Sequence, residues 1–481
     1  MISRDAIYKY SLENNDEFWA TLARSRLDWT KDFDHVNTSS FEAGRLEWFK
    51  GGYLNVADNC VSRHAKSRGD QNALIWEKDE ENQVEYVTYK ELDVLVSKFA
   101  NVLRDRGVKK GDRVAIYYPV SPKGVAAMLA CAKIGAVHSV VFAGFSAEAL
   151  RQRIIDADCR VVICSDGTFR GGRYINLKEV VDKAVAGCPG VESVLVGTRN
   201  PDVPKLTQSH DVDLDEALEA ASSECESEIM EAEDPLFLLY TSGSTGKPKG
   251  LIHSQAGYLL YANVTTSEVF STQPGDVYGC VADIGWITGH TYVVYGPLSN
   301  GATSLLFESL PTYPDAGRYW KTVEKHKLTQ FYGAPTAYRT LIRFGDDFPL
   351  KYDTSSLKAI GTVGEPINVE AWNWLHDVVG RGNCKVVDTW WQTETGGNMI
   401  TPVPCENEAK FKPGSAQRPF YGVEPALMSP EGIEIEGNDK DGALCIKRPW
   451  PGIARTIHGD HQRFLDTYIN VSSEIIDQVQ I

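Results

Sequence analysis

The chain alternates between short apolar runs and longer stretches in which apolar residues recur every three or four positions. Runs at 113–118, 137–142 and 160–164 have the length of buried strands. Between them, Thr88 followed three residues later by Glu91 forms a capping box before apolar positions at helical spacing. This strand–helix–strand order predicts a parallel sheet with helices on both faces.

The same pattern divides the rest of the chain into regions. Residues 1–60 are rich in aromatic and polar side chains without regular alternation, and we expect helices and loops lying on a larger body. Ser254 is predicted to cap a helix, and a second α/β section runs from 276 to about 404. Frequent Gly and Pro between short apolar runs at 411–448 predict a small β-rich lobe.

The segment from Pro235 to Gly250 carries the strongest chemical signal. A buried-strand run, 236–240, leads into a loop that contains four hydroxyls, three glycines and two lysines. Glycines allow close approach to a ligand, and consecutive N–H groups in such a turn bind anions, so we expect a loop that holds nucleotide phosphates. A Walker loop is excluded because Gly246-Lys247 is followed by Pro248, and GxGxxG is also absent.

Composition narrows the classes of partner. The chain has 481 residues, 42% of them apolar, and a net charge of −16 without a long basic run, which weighs against nucleic acid and anionic membranes as partners. No apolar run is long enough to span a bilayer, and no targeting signal is visible. Ten cysteines without metal-ligand spacing predict reduced thiols, hence the cytoplasm or the mitochondrial matrix.

Two further motifs follow strand-like runs. Val363-Gly364-Glu365-Pro366 follows LKAIGT, and DTWWQTET, residues 388–395, follows KVV. Loops at the carboxyl ends of strands are where open α/β sheets bind ligands. Together with TSGSTGKPKG, ADIGWITGH, FYGAPTAYR and PWPGIARTIHGDHQRF, these motifs resemble the acetyl-CoA synthetase branch of the adenylate-forming, AMP-binding superfamily, from about residue 5 to Tyr468.

The resemblance implies a fold and a division of the chain. It implies an α/β protein: a large adenylate-forming N-terminal domain with two doubly wound α/β subdomains and a small β-rich lobe. Residues 1–60 would be the N-terminal helical extension and residues 61–468 the AMP-binding domain. Residues 469–481 match nothing in the family, so we expect the family's small C-terminal domain to be absent from this sequence.

The resemblance also implies the residues that bind ATP and Mg²⁺. Thr241, Thr245, Lys247 and Glu394 would be catalytic, with Glu394 and Thr245 holding Mg²⁺, a hard cation that prefers oxygen ligands. The remaining ATP contacts would come from the phosphate loop, the 364–366 motif and the 388–393 motif: Ser242, Gly243, Ser244, Gly246, Lys249, Gly364, Glu365, Pro366, Asp388, Thr389, Trp390, Trp391, Gln392 and Thr393.

Positions for the other two substrates follow from the same resemblance. Ile287, Thr288, Val363 and Trp391 would wall the acetate pocket, and the indole of Trp391 would fill the space that a longer acid needs. Arg170, Arg173, Thr288 and Thr312 would contact CoA, since arginine forks suit phosphates; many relatives carry asparagine where this chain has Thr312.

The implied reaction is acetate–CoA ligation through acetyl-adenylate, with acetate, ATP and CoA as small-molecule partners. Two alternatives stay open. One is a propionyl-CoA synthetase, because an extra methylene discriminates by only about 1–3 kcal/mol. The other is a catalytically impaired nucleotide-binding form, since the family's ribose-binding aspartate and catalytic lysine have no counterpart after Tyr468. We therefore expect the chain alone to bind ATP weakly and turn over little.

Overall fold

The computed structural model describes residues 3–241, 248–403, 411–437 and 439–470. These residues form the following strands: β1 (His35–Asn37), β2 (Trp48–Lys50), β3 (Tyr53–Leu54), β4 (Asn72–Glu77), β5 (Val84–Thr88), β6 (Arg113–Tyr117), β7 (Val137–Val140), β8 (Val161–Ser165), β9 (Gly167–Arg170), β10 (Arg173–Asn176), β11 (Ser193–Gly197), β12 (Asp211–Asp213), β13 (Met230–Glu231), β14 (Pro235–Thr241), β15 (Lys249–Ser254), β16 (Val277–Cys280), β17 (Thr303–Phe307), β18 (Gln330–Gly333), β19 (Ala359–Thr362), β20 (Lys385–Asp388), β21 (Pro425–Met428), β22 (Ala443–Ile446) and β23 (Thr456–Ile457).

The helices lie mainly between these strands. They are α1 (Arg4–Glu13), α2 (Asn15–Arg26), α3 (Arg63–Arg68), α4 (Tyr89–Asp105), α5 (Pro122–Lys133), α6 (Ala147–Asp156), α7 (Lys178–Val185), α8 (Leu214–Ala220), α9 (Gln255–Phe270), α10 (Ile287–Gly289), α11 (Gly296–Ser299), α12 (Arg318–His326), α13 (Pro335–Ile342), α14 (Asp347–Leu350), α15 (Val369–Trp374) and α16 (His461–Phe464). Wider helical turns lie at Asp58–Ser62, His290–Tyr295, Leu375–Val379 and Leu465–Ile469, and a tighter one at Thr393–Thr395.

Two large sheets organise the molecule. One has eight strands in the order β12-β11-β8-β6-β7-β14-β15-β23, parallel up to β14 and antiparallel beyond it. The other has seven strands in the order β20-β19-β18-β16-β17-β4-β5, parallel except for the β4–β5 edge pair. Parallel sheets need helices on their faces, and α5 and α9 are accordingly buried along almost their whole length. The α/β class and the two doubly wound sheets are confirmed.

The N-terminal segment packs on this body as predicted, and besides the predicted helices and loops it contains the short strands β1, β2 and β3. Trp19 of α2 is fully buried and lies edge-on to Trp48. Arg4 and Tyr8 of α1 donate hydrogen bonds to the carbonyls of Pro419 and Val423, over 2.6 and 2.8 Å. The first 60 residues are thereby joined to a segment more than 400 residues further along the chain.

Two expectations need correction. Ser254 does precede α9, but its hydroxyl makes no capping hydrogen bond with a described residue, because Ser254 ends β15 and is buried. The segment 411–448 forms little regular sheet: apart from isolated bridges, its described residues contribute only the β21–β22 pair, since its frequent Gly and Pro interrupt strand pairing.

Candidate functional site

The 364–366 and 388–395 motifs lie side by side at one edge of the seven-stranded sheet. Strands β19 and β20 are parallel neighbours, with Thr362 opposite Asp388. The Thr362 hydroxyl donates to Asp388 Oδ1 over 2.7 Å. Burial raises the pKa of Asp388. The sequence prediction that both motifs occupy the carboxyl ends of strands is confirmed.

The loop after β19 is held by a network around Glu365. Its Oε1 accepts from the backbone N–H of Thr336 over 2.7 Å, and its Oε2 accepts from Arg339 over 2.7 Å. The bond from the Thr336 side chain, followed by pairing with Arg339, keeps the pKa of Glu365 below its usual value. On either side of Glu365, Gly364 with φ +94° and Pro366 are exposed, so backbone is available to a ligand at this point.

Trp391 is fixed by two tyrosines. Its Nε1 donates to the Tyr332 hydroxyl over 3.1 Å, and its ring meets Tyr292 edge-on with centroids 5.1 Å apart. The Tyr332 and Thr389 hydroxyls are 2.7 Å apart, which joins the indole to the 388–395 motif. Because Tyr332 and Tyr292 both contact it, the half-buried indole has a defined orientation.

The other predicted acyl-pocket residues lie in the same region. Ile287 and Thr288 begin the helical segment 287–299, which carries Tyr292 one turn later. Ile287 and Val363 belong to one buried cluster, against which the Trp391 ring packs. The structure therefore places a small apolar wall beside the strand ends.

The phosphate loop connects two antiparallel strands. The last two pairs between β14 and β15 are Tyr240 with Gly250 and Thr241 with Lys249. The predicted residues between them lie outside the described residues: Ser242, Gly243, Ser244, Thr245, Gly246 and Lys247. The structure thus gives the two ends of the loop, and the sequence analysis did not predict the strand β15.

Glu394 and Lys249 meet at Tyr468. The Tyr468 hydroxyl donates to Glu394 Oε1 over 2.6 Å, and Lys249 Nζ lies 4.7 Å from the centre of the Tyr468 ring. Burial, with Glu394 nearby, raises the pKa of Tyr468 well above its usual value. Burial lowers the pKa of Lys249, while Glu394 opposes that shift. This places a carboxylate, an ammonium and a phenol at the end of the phosphate-loop hairpin.

The remaining residues of the 388–395 motif link the two sheets. His253 of β15 lies with Nε2 2.8 Å from the carbonyl oxygen of Thr393, and burial lowers the pKa of His253 to about 3. Trp390 pairs with Ile400 through its backbone, and Gln392 is exposed at the rim. A neutral imidazole thus connects the phosphate-loop hairpin to the loop after β20.

Two of the four predicted CoA residues lie on a separate hairpin, and Thr288 lies in the 287–299 helical segment described above. Arg170 and Arg173 face each other across the β9–β10 turn, and both are exposed. Thr312 is half-buried in the segment after β17, whose Leu310 and Tyr313 side chains touch that turn. The structure brings these three positions into one neighbourhood.

A magnesium ion fits the oxygen ligands that this site offers. Among the described residues no group of three His, Cys, Asp or Glu side chains could hold a metal. Mg²⁺ is usually held by one or two carboxylates together with substrate phosphates and water, so the single carboxylate of Glu394 suits that kind of site.

Sequence reasoning missed the side chains that support the site. Tyr332 and Tyr292 fix Trp391, Tyr468 holds Glu394, and Asp79 binds the turn next to Arg170. Of these side chains, Tyr332 is the one that lies in a motif noted in the sequence, FYGAPTAYR, so that motif could have indicated its role. The other side chains lie far along the chain from the residues that they contact.

The arrangement is that of an α/β protein with its motif-bearing loops at the carboxyl ends of the strands, where open α/β sheets bind ligands. Comparison with known families agrees: residues 61–457 match the model described as AMP-binding enzyme, and residues 4–60 match that of the acetyl-coenzyme A synthetase N-terminus. The chain therefore belongs to the AMP-binding enzymes, and within them to the acetyl-coenzyme A synthetases.

Individual relatives support the assignment. The chain is 56% identical to the mitochondrial acetyl-coenzyme A synthetase 2-like protein of Homo sapiens over 94% of its own length and 65% of that protein's length. It is 53% identical to acetyl-coenzyme A synthetases of Magnetococcus marinus and Pseudomonas aeruginosa, covering 96% of its own length and 71% of theirs. The solved acetoacetyl-CoA synthetase from Streptomyces lividans superposes with a TM-score of 0.88 at 25% identity, over 97% of this chain and 71% of that one. The chain thus spans 65 to 71% of these relatives.

Two further observations concern the environment of the chain. Within the ranges that the structure describes, no helix is long and apolar enough to cross a membrane. All nine cysteines in those ranges are free thiols, and the tenth, Cys405, lies outside them. The described cysteines therefore agree with the prediction of reduced thiols.

Proposed function

We propose that the chain is an acetate–CoA ligase that converts acetate, ATP and CoA into acetyl-CoA, AMP and diphosphate. The observation that carries the proposal is the fixed indole of Trp391, held by Tyr332 and Tyr292 beside the buried Val363. Because the indole is held on both sides, it limits the length of the acid that fits next to the nucleotide. We infer that this limit is an acid of two carbons, as in acetate.

The first half-reaction would take place between the two sheets. A carboxylate oxygen of acetate attacks the α-phosphorus of ATP, and diphosphate leaves. Thr241, Lys249 and the 242–247 loop would hold the phosphates, while the 364–366 and 388–393 loops hold adenine and the α-phosphate. Such transfer depends mainly on positioning and charge neutralisation, which agrees with a site of hydroxyls and lysines.

Mg²⁺ is the metal that this chemistry uses. Glu394 and Thr245 would hold it, and it would offset the phosphate charge. Among the described residues the bond from Tyr468 uses only Glu394 Oε1, and Oε2 would be the oxygen that meets the cation.

In the second half-reaction the CoA thiolate attacks the acetyl carbonyl carbon, and AMP leaves with the phosphate oxygen. Arg170 and Arg173 would bind the phosphates at the nucleotide end of CoA, with Thr312 and Thr288 nearer the thiol. Both arginines are exposed and are cross-strand partners, which suits an anion bound between them.

We also propose that the protein works in a reducing compartment, the cytoplasm or the mitochondrial matrix. The free thiols of the described residues support this, and burial raises the pKa of Cys60 and Cys280 to about 12, so that both stay protonated. The human relative carries the word mitochondrial in its name.

Binding of acyl-adenylate analogues tests the acetate assignment without requiring turnover. Ethyl, propyl and butyl esters of AMP imitate the adenylates of two-, three- and four-carbon acids, and calorimetry would give their affinities. We expect ethyl-AMP to bind best and each further methylene to cost about 10- to 200-fold. Trp391→Gly should remove that preference, while Trp372→Phe, a buried position on α15, should keep it.

Each alternative predicts a different result. Equal or better binding of propyl-AMP would favour a propionyl-CoA synthetase, a reading that the names of the relatives do not favour. Affinity for AMP and all three esters alike would indicate a nucleotide-binding form without an acyl pocket. Hydroxamate trapping of the adenylate, with acetate or propionate, would then measure the chemical step itself.

A further inference from the structure

The β9–β10 hairpin presents two like charges at its tip. Its two-residue turn, Gly171-Gly172, has φ values of +62° and +76°, the conformation of a type I′ turn. Arg170 and Arg173 are therefore cross-strand partners, and like charges in that position repel each other. Burial raises the pKa of Asp283 and the Arg170 guanidinium opposes that rise, so a carboxylate lies near one of the two charges.

A buried carboxylate holds this turn. Asp79, which is 0% exposed, accepts the Gly171 N–H on Oδ1 over 2.8 Å and the Gly172 N–H on Oδ2 over 2.7 Å. The Ser309 hydroxyl donates to the same Oδ1 over 2.6 Å. Consecutive N–H groups of this kind form a nest for an anion, and Asp79 is the anion that occupies it.

The turn is fixed from the opposite subdomain. Asp79 and Ser309 follow β4 and β17, adjacent strands of the seven-stranded sheet, while the hairpin follows β8 of the eight-stranded sheet. A Cβ at Gly172 would lie 2.7 Å from the Tyr313 hydroxyl, so the turn already touches its neighbour. The hairpin tip therefore cannot move without breaking the Asp79 bonds.

An ion pair between Arg199 and Glu308 supports the position of Asp79. Arg199 donates to both oxygens of Glu308, over 2.9 and 3.0 Å, and Glu308 Oε2 accepts the backbone N–H of Asp79 over 3.3 Å. Thr168 of β9 also donates to Glu308, over 3.2 Å. The two carboxylates thus join the hairpin to the strand ends at two points.

We propose that Asp79 is a positioning residue for CoA: by binding the Gly171-Gly172 turn, it orients Arg170 and Arg173 to receive the phosphates of the CoA nucleotide. This inference rests on the CoA site of the proposed function. Two arginines whose backbone is already held in place lose less conformational freedom on binding, which is how preorganisation increases affinity.

Calorimetric titration of Asp79→Asn with CoA tests the proposal. Asn can accept only one of the two N–H bonds, so we expect CoA affinity to fall by about 10-fold, the order of effect of losing one hydrogen bond to a charged group. ATP affinity should change less than twofold. Dephospho-CoA, which lacks the 3′-phosphate, should be less affected than CoA.

A matched control separates positioning from stability. Asp276 is also a buried carboxylate that accepts three bonds, from Gln273 N, Gln330 Nε2 and Lys358 Nζ. It lies before β16, at the amino-terminal ends of the parallel strands, whereas Asp79 lies at their carboxyl ends. Asp276→Asn should lower the melting temperature and leave CoA affinity unchanged. Ser309→Ala, a milder change, should reduce CoA affinity by a smaller factor than Asp79→Asn and serves if the latter does not fold.

A double-mutant cycle gives the decisive readout. If Asp79 acts through the arginines, Asp79→Asn should have no further effect on CoA affinity in an Arg170→Ala/Arg173→Ala background. An unchanged CoA affinity in Asp79→Asn and Ser309→Ala, or an equal additional loss in that background, would overturn the inference. A wild-type chain that binds ATP but no CoA would also overturn it; a chain that binds neither would contradict the proposed function itself.

Discussion

At the scale of single residues, Tyr468 connects two charges that the proposed reaction needs. Its hydroxyl donates to Glu394 and its ring lies over Lys249. The raised pKa of Tyr468 keeps the phenol protonated at neutral pH, so it remains a donor. The hydroxyl therefore fixes one carboxylate oxygen and leaves the other to a cation.

We expect Tyr468→Phe to weaken ATP binding in the presence of Mg²⁺ by about 10-fold, because supporting contacts to metal ligands carry effects of that size. Binding measured in EDTA should not change, which distinguishes loss of Glu394 orientation from general damage. Tyr10→Phe, at an exposed position on α1, is the control. Equal ATP affinities with Mg²⁺ in wild type and Tyr468→Phe would show that the hydroxyl does not orient Glu394.

The site residues could be predicted from the sequence, whereas the side chains that hold them in position could not. Val363 to Pro366 and Asp388 to Thr395 lie at strand ends as expected, because each motif directly follows its own strand in the chain. The contacts of Tyr468 with Glu394 and of Asp79 with Gly171 join residues 74 and 92 positions apart. Such pairs depend on how strands are ordered in the sheets, and local periodicity carries no information about that order.

At the scale of elements, two helix starts that look alike in sequence differ in chemistry. Thr88 accepts the N–H of Glu91 over 3.2 Å, and Glu91 Oε2 accepts the N–H of Thr88 over 2.8 Å, which completes a capping box for α4. Ser254 precedes α9, but its buried hydroxyl has no hydrogen-bond partner within the part of the chain that the structure describes.

Substitution of Thr88 and of Ser254 by alanine should therefore change the free energy of unfolding by different amounts. Thr88→Ala should lower the free energy of unfolding by about 1 kcal/mol, the usual value of an N-cap. Ser254→Ala should cost less than about 0.5 kcal/mol or stabilise the protein, because it removes an unpaired buried hydroxyl. Urea unfolding of both variants measures the difference; a larger loss for Ser254→Ala would mean that its hydroxyl does cap α9.

Elements with a clear local sequence pattern could be predicted, and elements that depend on pairing with a neighbouring strand could not. The helix α4 has both a cap and an amphipathic pattern, and it was predicted. The strand β15 and the β9–β10 hairpin were not, because each is short and Lys249, Thr168 and Arg170 break the apolar pattern. These elements exist through pairing with neighbours: β15 with β14, and β9 with β10.

At the scale of the whole molecule, buried histidines should determine how the protein responds to acid. Burial lowers the pKa of His64 to about 4, of His253 to about 3 and of His290 to about 4, and places that of His138 well below 6.5. Each stays neutral in the folded protein while the unfolded chain takes up protons below pH 6.5. The folded state therefore loses stability as pH falls from about 6.5 toward 4.

The carboxylates affect folding stability at lower pH than the histidines do, and some of them act in the opposite direction. Asp353, with a pKa of about 2, stays charged when folded, and its contribution to stability is lost only below its unfolded pKa, near 4. Burial raises the pKa values of Asp388 and Glu308, so these groups bind protons first in the folded state and oppose the loss. The pH dependence of the free energy of unfolding is the sum of all these effects. The difference in that dependence between wild type and a single-histidine variant gives the contribution of one histidine.

His64 is the histidine best suited to that measurement, because it lies in α3, contacts Tyr89 and Ser299, and touches no residue of the proposed site. The free energy of unfolding of wild type should fall with decreasing pH more steeply than that of His64→Gln. The difference in slope should approach about 1.4 kcal/mol per pH unit between pH 6 and 4.5, since one proton is bound only by the unfolded chain. His35→Gln, at an exposed position, should keep the wild-type slope. Parallel curves for wild type and His64→Gln in urea unfolding at several pH values would show that His64 is already protonated in the folded protein.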